Sequence, residues 1–344
     1  MYNSFMAYIT LDKNHFFNNL DIIANKTKSK DKIALVLKDN AYGHGLLEVA
    51  SMAQEYGITK AVVRLDSEAK ALEKYFESVL VLADIPKHAE KKISYTINDI
   101  ESIKKFPKNT QVELKVDTGM NRNGIEMQEL EEAFSLIQKY SLDIVAVFTH
   151  HSSADEFNEI FALQNKNFEK VKQHAEHLAE KYKLKKPLRF HSCNSAALFR
   201  RENFNEDMAR VGIAAYGCLE LQGCEDVKKL QPVLSLYGEK ISQRKIQKSE
   251  CVGYGAAYKA QNSCVVTNYD IGYGDGFLRA NSHNFITPEG VSIAGRISMD
   301  NSSFLSDAEE LLIFNDAREV AKTAGTISYE VLTALKGYIP RKIV

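Results

Sequence analysis

Cysteine, unbalanced charge and long apolar runs are all scarce in this 344-residue chain, and each scarcity excludes something. The five cysteines are Cys193, Cys218, Cys224, Cys251 and Cys264. Their number is odd and none forms a C-x-x-C pair, so neither a disulfide framework nor a zinc site is indicated. Free thiols fit a reducing compartment. The formal net charge is only -1, which implies no basic face for nucleic acid or an anionic membrane. No apolar run approaches the ~18 residues of a membrane span, and the N-terminus lacks the apolar core of a signal peptide. There is no low-complexity segment and no repeat. The expectation is a soluble cytoplasmic protein with no metal. Hydrophobic residues make up 44% of the chain, ample for a large core.

The order of patterns is informative. As far as about Gly217, short β-branched runs alternate with amphipathic, charge-studded stretches. Strands are expected at 33–38, 60–65, 79–83, 95–97, 112–117, 144–150, 188–193 and 209–214. Helices are expected at 45–56, 66–75, 98–105, 129–139 and 157–183. Eight strands alternating with helices predict an α/β fold, a (β/α)8 barrel, with an open doubly wound sheet as the alternative. After Pro232 the long helical patterns vanish until the last residues. Short strand-like runs at 234–241, 264–269, 291–294 and 311–314 are punctuated by glycine. This predicts a separate, mostly antiparallel β domain. The boundaries read as 8–230 for the barrel and 231–344, with residues 1–8, for the second domain. The run 7–11 has the option of pairing with that second domain.

Chemistry gathers at the expected strand ends. The apolar run Ile33–Leu37 stops at Lys38, followed by Asp39-Asn40-Ala41-Tyr42-Gly43-His44-Gly45. A lysine at the mouth of a buried strand is placed to lose water, which lowers its pKa and frees an amine for carbonyl chemistry. Lys115 and Asp117 end the fifth strand, and Thr149 and His150 the sixth. His191, Asn194 and Ser195 close the seventh, and Arg210, Gly212 and Ile213 lie in and beyond the eighth. Active residues of barrels occupy this rim, and the loops after strands 7 and 8 commonly hold phosphate. Ser195 offers a hydroxyl there, Gly212 and Ile213 offer N–H groups, and Tyr42 a phenol. An amine facing a phosphate site suggests pyridoxal 5'-phosphate. His44, His88, His174, His177 and His283 read as exposed residues without a role.

The segments Lys38–Gly45, Lys115–Arg122, His150 with Ser153–Glu156, His191–Ala197 and Arg210–Ile213 resemble signatures of the alanine racemase family. So do Val252-Gly253-Tyr254-Gly255, Gly272–Gly276, Gly295–Asp300 and Ile327–Glu330, in the family's order. The resemblance spans the chain. It implies a (β/α)8 barrel joined to a β domain, a homodimer with shared active sites, pyridoxal 5'-phosphate as cofactor and alanine as substrate. Lys38 would carry the cofactor covalently and serve as the base on one face. Tyr254, supplied by the partner subunit, would be the base on the other. Arg210 would contact the pyridine nitrogen, where a permanent cation disfavours ring protonation and so suppresses transamination. His191 would hold Arg210, and His150 would pack on the ring. Tyr42, Ser195, Gly212, Ile213 and Tyr329 would hold the phosphate. Arg122 and the Met299 backbone would bind the substrate carboxylate, Tyr273 and Asp300 would line the entry, and Lys115, as a carbamate, would brace Arg122.

Four positions depart from the family pattern. Asp39 replaces a usual alanine, Asn121 and Asn123 replace a glycine and an apolar residue around Arg122, and His151 replaces an aromatic. Three alternatives stand beside alanine racemase. A pyridoxal phosphate homeostasis protein lacks a β domain, so the residues after Pro232 disfavour it. A decarboxylase of similar architecture would bring a cysteine and an aspartate near the substrate, in a motif not recognisable here, whereas Gly-Arg-Ile-Ser-Met-Asp is present. A broader amino acid racemase differs only in pocket shape.

Overall fold

A computed structural model describes residues 7–344. After β1 (Tyr8–Leu11), eight strands form one parallel sheet. These are β2 (Ile33–Val36), β3 (Lys60–Val63), β4 (Ser78–Val81), β5 (Ile93–Ile97), β6 (Gln111–Lys115), β7 (Asp143–Phe148), β8 (Arg189–His191) and β9 (Ala209–Val211). From β2 to β8 each pairs in parallel with the next, and β9 returns to pair in parallel with β2. The sheet therefore curls into a nearly closed barrel. Its seam, between β8 and β9, is bridged where the Arg210 N–H donates to the Cys193 carbonyl at 2.9 Å. The strands are apolar on both faces because helices cover the outside and side chains fill the inside. All four residues of β2 and all five of β5 are buried.

Helices Leu46–Tyr56, Asp66–Leu72 and Leu130–Lys139 lie where the pattern predicts, each trimmed at one end, and Ile160–Lys181 is trimmed at both. The segment expected as a helix over 98–105 is a 3-10 turn, Ile100–Lys105, capped by the Asp99 carboxylate accepting from Ser102 N. The strands also end earlier than expected, because several terminal residues turn out over the rim. Helix Lys13–Thr27 had no counterpart in the sequence reading. The Asp12 carboxylate caps it by accepting from His15 N.

The second sheet runs β14-β13-β10-β1-β16, with β15 also on β10. Its members are β10 (Leu234–Ile246), β13 (Cys264–Tyr269), β14 (Ser302–Phe304), β15 (Glu310–Phe314) and β16 (Arg341–Ile343). A hairpin of β11 (Cys251–Val252) and β12 (Tyr258–Lys259) stands apart. Pairing is antiparallel except between β1 and β16. Strand β1, numbered with the barrel by the 8–230 boundary, is thus a central strand of the second sheet. Residues 1–6 lie outside the described residues. The run 291–294 is not a strand. Only isolated bridges, Ser292 to Ile286 and Ile293 to Phe304, join it to neighbours. No helix among the described residues is long and apolar enough to cross a membrane.

Candidate active site

Lys38 does not end a strand. Strand β2 stops at Val36, and Lys38 opens a left-handed turn in which Asp39, Asn40, Ala41 and Tyr42 all have φ between 50° and 56°. Such backbone costs roughly 1–2 kcal/mol per non-glycine residue and persists only where surroundings enforce it. Here they do. Asn40 Oδ1 accepts from Leu46 N at 2.8 Å, and the Asp39 N–H donates to Glu68 at 2.9 Å. From the second domain, Arg341 Nη2 donates to the Gly43 carbonyl at 2.8 Å. Gly43 (φ 76°) also meets helix Ser328–Ala334 so closely that an added Cβ would lie 2.0 Å from Leu332 O. The turn aims Lys38 Nζ to within 3.6 Å of the Asp39 carboxylate, which Arg64 approaches to 3.5 Å.

Beside this amine, 5.8 Å from the Tyr42 ring, the expected phosphate ligands gather into a cradle at the barrel rim. Ser195 Oγ accepts from the N–H groups of Gly212 and Ala214 at 3.2 and 3.3 Å. A Cβ at Gly212 would fall 2.8 Å from the Tyr42 ring, so only glycine leaves this cradle open. Tyr42 stacks obliquely on Tyr216 and on Tyr329 from the second domain, at 5.4 and 5.7 Å. Burial pushes the Tyr329 phenol up to about 12 and that of Tyr42 higher still. Both stay protonated and can donate. Ile213 is buried next to Gly212.

Arg210 is 5% exposed and threaded through acceptors. Its Nη2 donates to the carbonyls of Thr149 (2.7 Å) and Ser192 (3.2 Å), and its Nη1 bonds His191 Nδ1. His150 Nδ1 lies 3.5 Å from Nη2, and the guanidinium sits over the Phe148 ring at 5.0 Å. Burial, then the Arg210 charge, holds His150 well below the usual histidine range, so it is neutral. His191 is also lowered, first by burial. Its other nitrogen, Nε2, bonds the Glu113 carboxylate at 2.8 Å. Lys115 is 8% exposed, and burial with the charges of Arg122 and Arg210 brings its amine down to about 8. Asp117 turns away, its carboxylate accepting from the backbone of Gly119, Met120 and Arg122.

The remaining expected residues form a second group. Tyr254 lies on a short turn after β11, 69% exposed, with Met299 56% exposed nearby in the fold. A cavity of about 660 Å³ beside Tyr254 reaches Arg244, Asn268, Ser298 and Asn301. Tyr273 and Met299 are tied together by backbone bonds, Tyr273 N to Ser298 O and Gly274 N to Met299 O, and Asp300 follows, exposed. Among the described residues no hydrogen bond, ion pair or ring contact joins this group to Lys38. Sequence reading missed Glu113. The only signal was conditional: Gln111-Val112-Glu113-Leu114-Lys115 alternates like a half-exposed strand, and Glu113 calls for a partner only once the barrel buries both faces, where an unpaired charge is prohibitive. His44, expected to be exposed, is fully buried and stacked on Tyr216 at 4.3 Å. His88, His174, His177 and His283 are exposed.

Comparison with known proteins resolves the family. Residues 11–220 match the model of the alanine racemase N-terminal domain, and 233–343 that of the alanine racemase C-terminal domain. The chain belongs to the alanine racemase family. It is 42% identical over 336 residues to an alanine racemase of a Nitratiruptor species, covering 98% of this chain and 99% of the relative. It is 38% identical over 341 residues to that of Campylobacter jejuni (strain RM1221), covering 98% and 100%. Among solved structures, the alanine racemase of Bacillus anthracis with bound L-Ala-P superposes with a TM-score of 0.85 at 27% identity, covering 99% of this chain and 95% of that one. The alanine racemase of Clostridium difficile 630 shares the fold with a TM-score of 0.88. The alanine racemase fold, barrel plus antiparallel-rich sheet, is the one described above.

Proposed function

We propose that this protein interconverts L- and D-alanine, using pyridoxal 5'-phosphate, and so supplies D-alanine for peptidoglycan. One observation carries the reading. The left-handed turn presents the Lys38 amine beside a donor-lined cradle that a single Cβ at Gly212 would close. The residues present fit the cofactor: an amine for its aldehyde, a cradle for its phosphate, and the Arg210 cation for its ring nitrogen. When bound, the cofactor supplies an electron sink that acidifies the α-proton of an attached amino acid.

The chain's own groups do the rest. Tyr42, Ser195, Gly212, Ile213 and Tyr329 hold the phosphate, and His150 packs against the ring. Lys38 Nζ takes or gives the α-proton on one face. It cannot serve the opposite face, which needs its own base; such groups typically contribute ~10²–10⁴-fold each. Tyr254 is a free phenol on an exposed turn of the second domain. In a two-fold homodimer Tyr254 of the partner subunit would face Lys38. Arg122 and the Met299 backbone bind the substrate carboxylate, and Tyr273 and Asp300 line the entry.

Two measurements test this. Wild-type protein with cofactor should incorporate solvent deuterium at Cα of alanine; if it does so equally with serine or lysine, the protein is a broader racemase. Mixing Lys38→Ala with Tyr254→Phe subunits, each nearly dead alone, should restore roughly a quarter of wild-type activity, because random pairing leaves one intact site per heterodimer. A dead mixture, with subunit exchange verified, would overturn the assignment of Tyr254 to the partner subunit's site.

A further inference from the structure

Glu113 is placed in the barrel interior, 1% exposed, behind the residues assigned to the reaction. Its two oxygens divide the work. Oε1 accepts from Arg189 Nη2 at 2.8 Å and from Ser94 Oγ at 2.9 Å. Oε2 faces His191 Nε2 at 2.8 Å. On the far side of the same imidazole, Nδ1 faces Arg210 Nη1. The order across the barrel is therefore carboxylate, imidazole, guanidinium.

Only one proton arrangement satisfies this row. An ionised carboxylate only accepts and a guanidinium only donates. His191 Nε2 must then carry the proton, and Nδ1 must offer its lone pair to Arg210. Imidazolium is excluded, since two N–H donors would meet at Nδ1. The Glu113 carboxyl stays ionised. Burial pushes its pKa up, but the bond from His191, the charge of Arg189 and the bond from Ser94 hold it below the usual carboxylate range.

We propose that Glu113 is a positioning residue that fixes the tautomer of His191 and, through it, holds the Arg210 guanidinium where the cofactor ring nitrogen binds. The inference rests on the racemase reading for its functional consequence, but not for the tautomer. Arg210 Nη2 donates to two carbonyls, and Nη1 takes both its acceptors from His191, the Nδ1 lone pair and the backbone carbonyl at 3.3 Å, of which only the first depends on the tautomer. Reversing the imidazole would put two donors nose to nose and force Arg210 to shift.

Glu113→Gln makes that reversal. The Arg189 guanidinium can only donate, and Ser94 can donate beside it, so the new amide keeps its oxygen where Oε1 was. Its NH₂ then occupies the place of Oε2 and donates to His191 Nε2. The imidazole proton is driven to Nδ1, against Arg210. Glu113→Asp keeps an acceptor-only group and should keep the native tautomer.

The experiment is long-range ¹H–¹⁵N correlation of the histidine rings in the full-length protein, with and without cofactor, His191 being assigned by its loss in His191→Asn. Wild type should show a neutral imidazole protonated at Nε2, Glu113→Asp the same, and Glu113→Gln the Nδ1 form. In the Gln variant kcat should fall on the order of 10-fold, the usual effect of losing a partner that orients a histidine, with KM for alanine little changed. A wild-type His191 that is Nδ1-protonated or cationic overturns the proposal even if no Glu113 variant folds. So does a Gln variant that keeps the Nε2 tautomer. If the tautomers behave as stated but no racemisation is found, the positioning stands and the racemase reading fails.

Discussion

Lys115 should add carbon dioxide where most lysines do not. An ordinary lysine near 10.5 is neutral in only one molecule in ~3,000 at pH 7, whereas an amine at about 8 is neutral in roughly one in ten. Only the neutral amine attacks carbon dioxide, so the reactive population rises ~300-fold. The product suits its surroundings better than the reactant. Burial and the nearby charges of Arg122 and Arg210 penalise an ammonium, while a carbamate would bear a negative charge and accept from Arg122. The holoenzyme incubated with ¹³C-bicarbonate should show a carbamate resonance that is absent in Lys115→Arg. At fixed carbon dioxide pressure the resonance should weaken as pH falls below about 8, because the ammonium re-forms. Removing carbon dioxide should raise KM for alanine about tenfold, from losing one charge-assisted bond of ~1.5 kcal/mol that steadies Arg122. An absent resonance, together with kinetics indifferent to carbon dioxide, would refute the reasoning.

Other perturbations follow from the same geometry. Gly212→Ala places a Cβ 2.8–3.1 Å from the Tyr42 ring and should weaken cofactor binding while leaving the fold intact; fluorescence titration with pyridoxal phosphate checks this, and an unchanged Kd contradicts the cradle. Asp39→Ala removes pairs with Lys38 and Arg64 that are a third to a half exposed, so stability should change by less than ~1 kcal/mol in urea unfolding, and a larger loss would show that the turn depends on them. His44 and His151 are both held at about 4, chiefly by burial, against an unfolded value near 6.5. Protonation thus favours the unfolded chain, and their contribution is fully present above pH 6.5. It is lost as pH falls from there to about 4, at about 1.4 kcal/mol per pH unit for each group. His151→Phe should flatten that acid slope in Tm measurements, and an unchanged slope would mean that His151 does not titrate between the two states.

The barrel was legible because each buried parallel strand is a compact apolar run followed by polar residues. Lys38, Lys115, His150, His191 and Arg210 were read from those run ends, and all lie at the rim. The left-handed turn was not legible, since neither Ala41 nor Tyr42 favours that backbone and only contacts with distant residues enforce it. Glu113 looked like an ordinary strand residue because its partner His191 lies 78 residues downstream. His44 was misread for a related reason. Its flanking glycines suggested an open loop, and nothing local announces that Tyr216 covers the ring. Strand β1 could be guessed but not assigned, because both its neighbours come from the far end of the chain.

The bond from Arg341 to the Gly43 carbonyl makes a turn early in the sequence depend on a residue 298 positions downstream. The barrel strands are complete once Val211 has been made, yet the strained turn after β2 still lacks its clasp. Helix Ser328–Ala334 and β16 supply it, and β16 joins the sheet only by laying itself beside β1 at the other end of the sequence. Removing residues 328–344 would therefore leave every barrel strand in the sequence yet strip away both the Arg341 bond and the Leu332 packing, so that the turn bearing Lys38 would rest on its bonds to Leu46 and Glu68 alone.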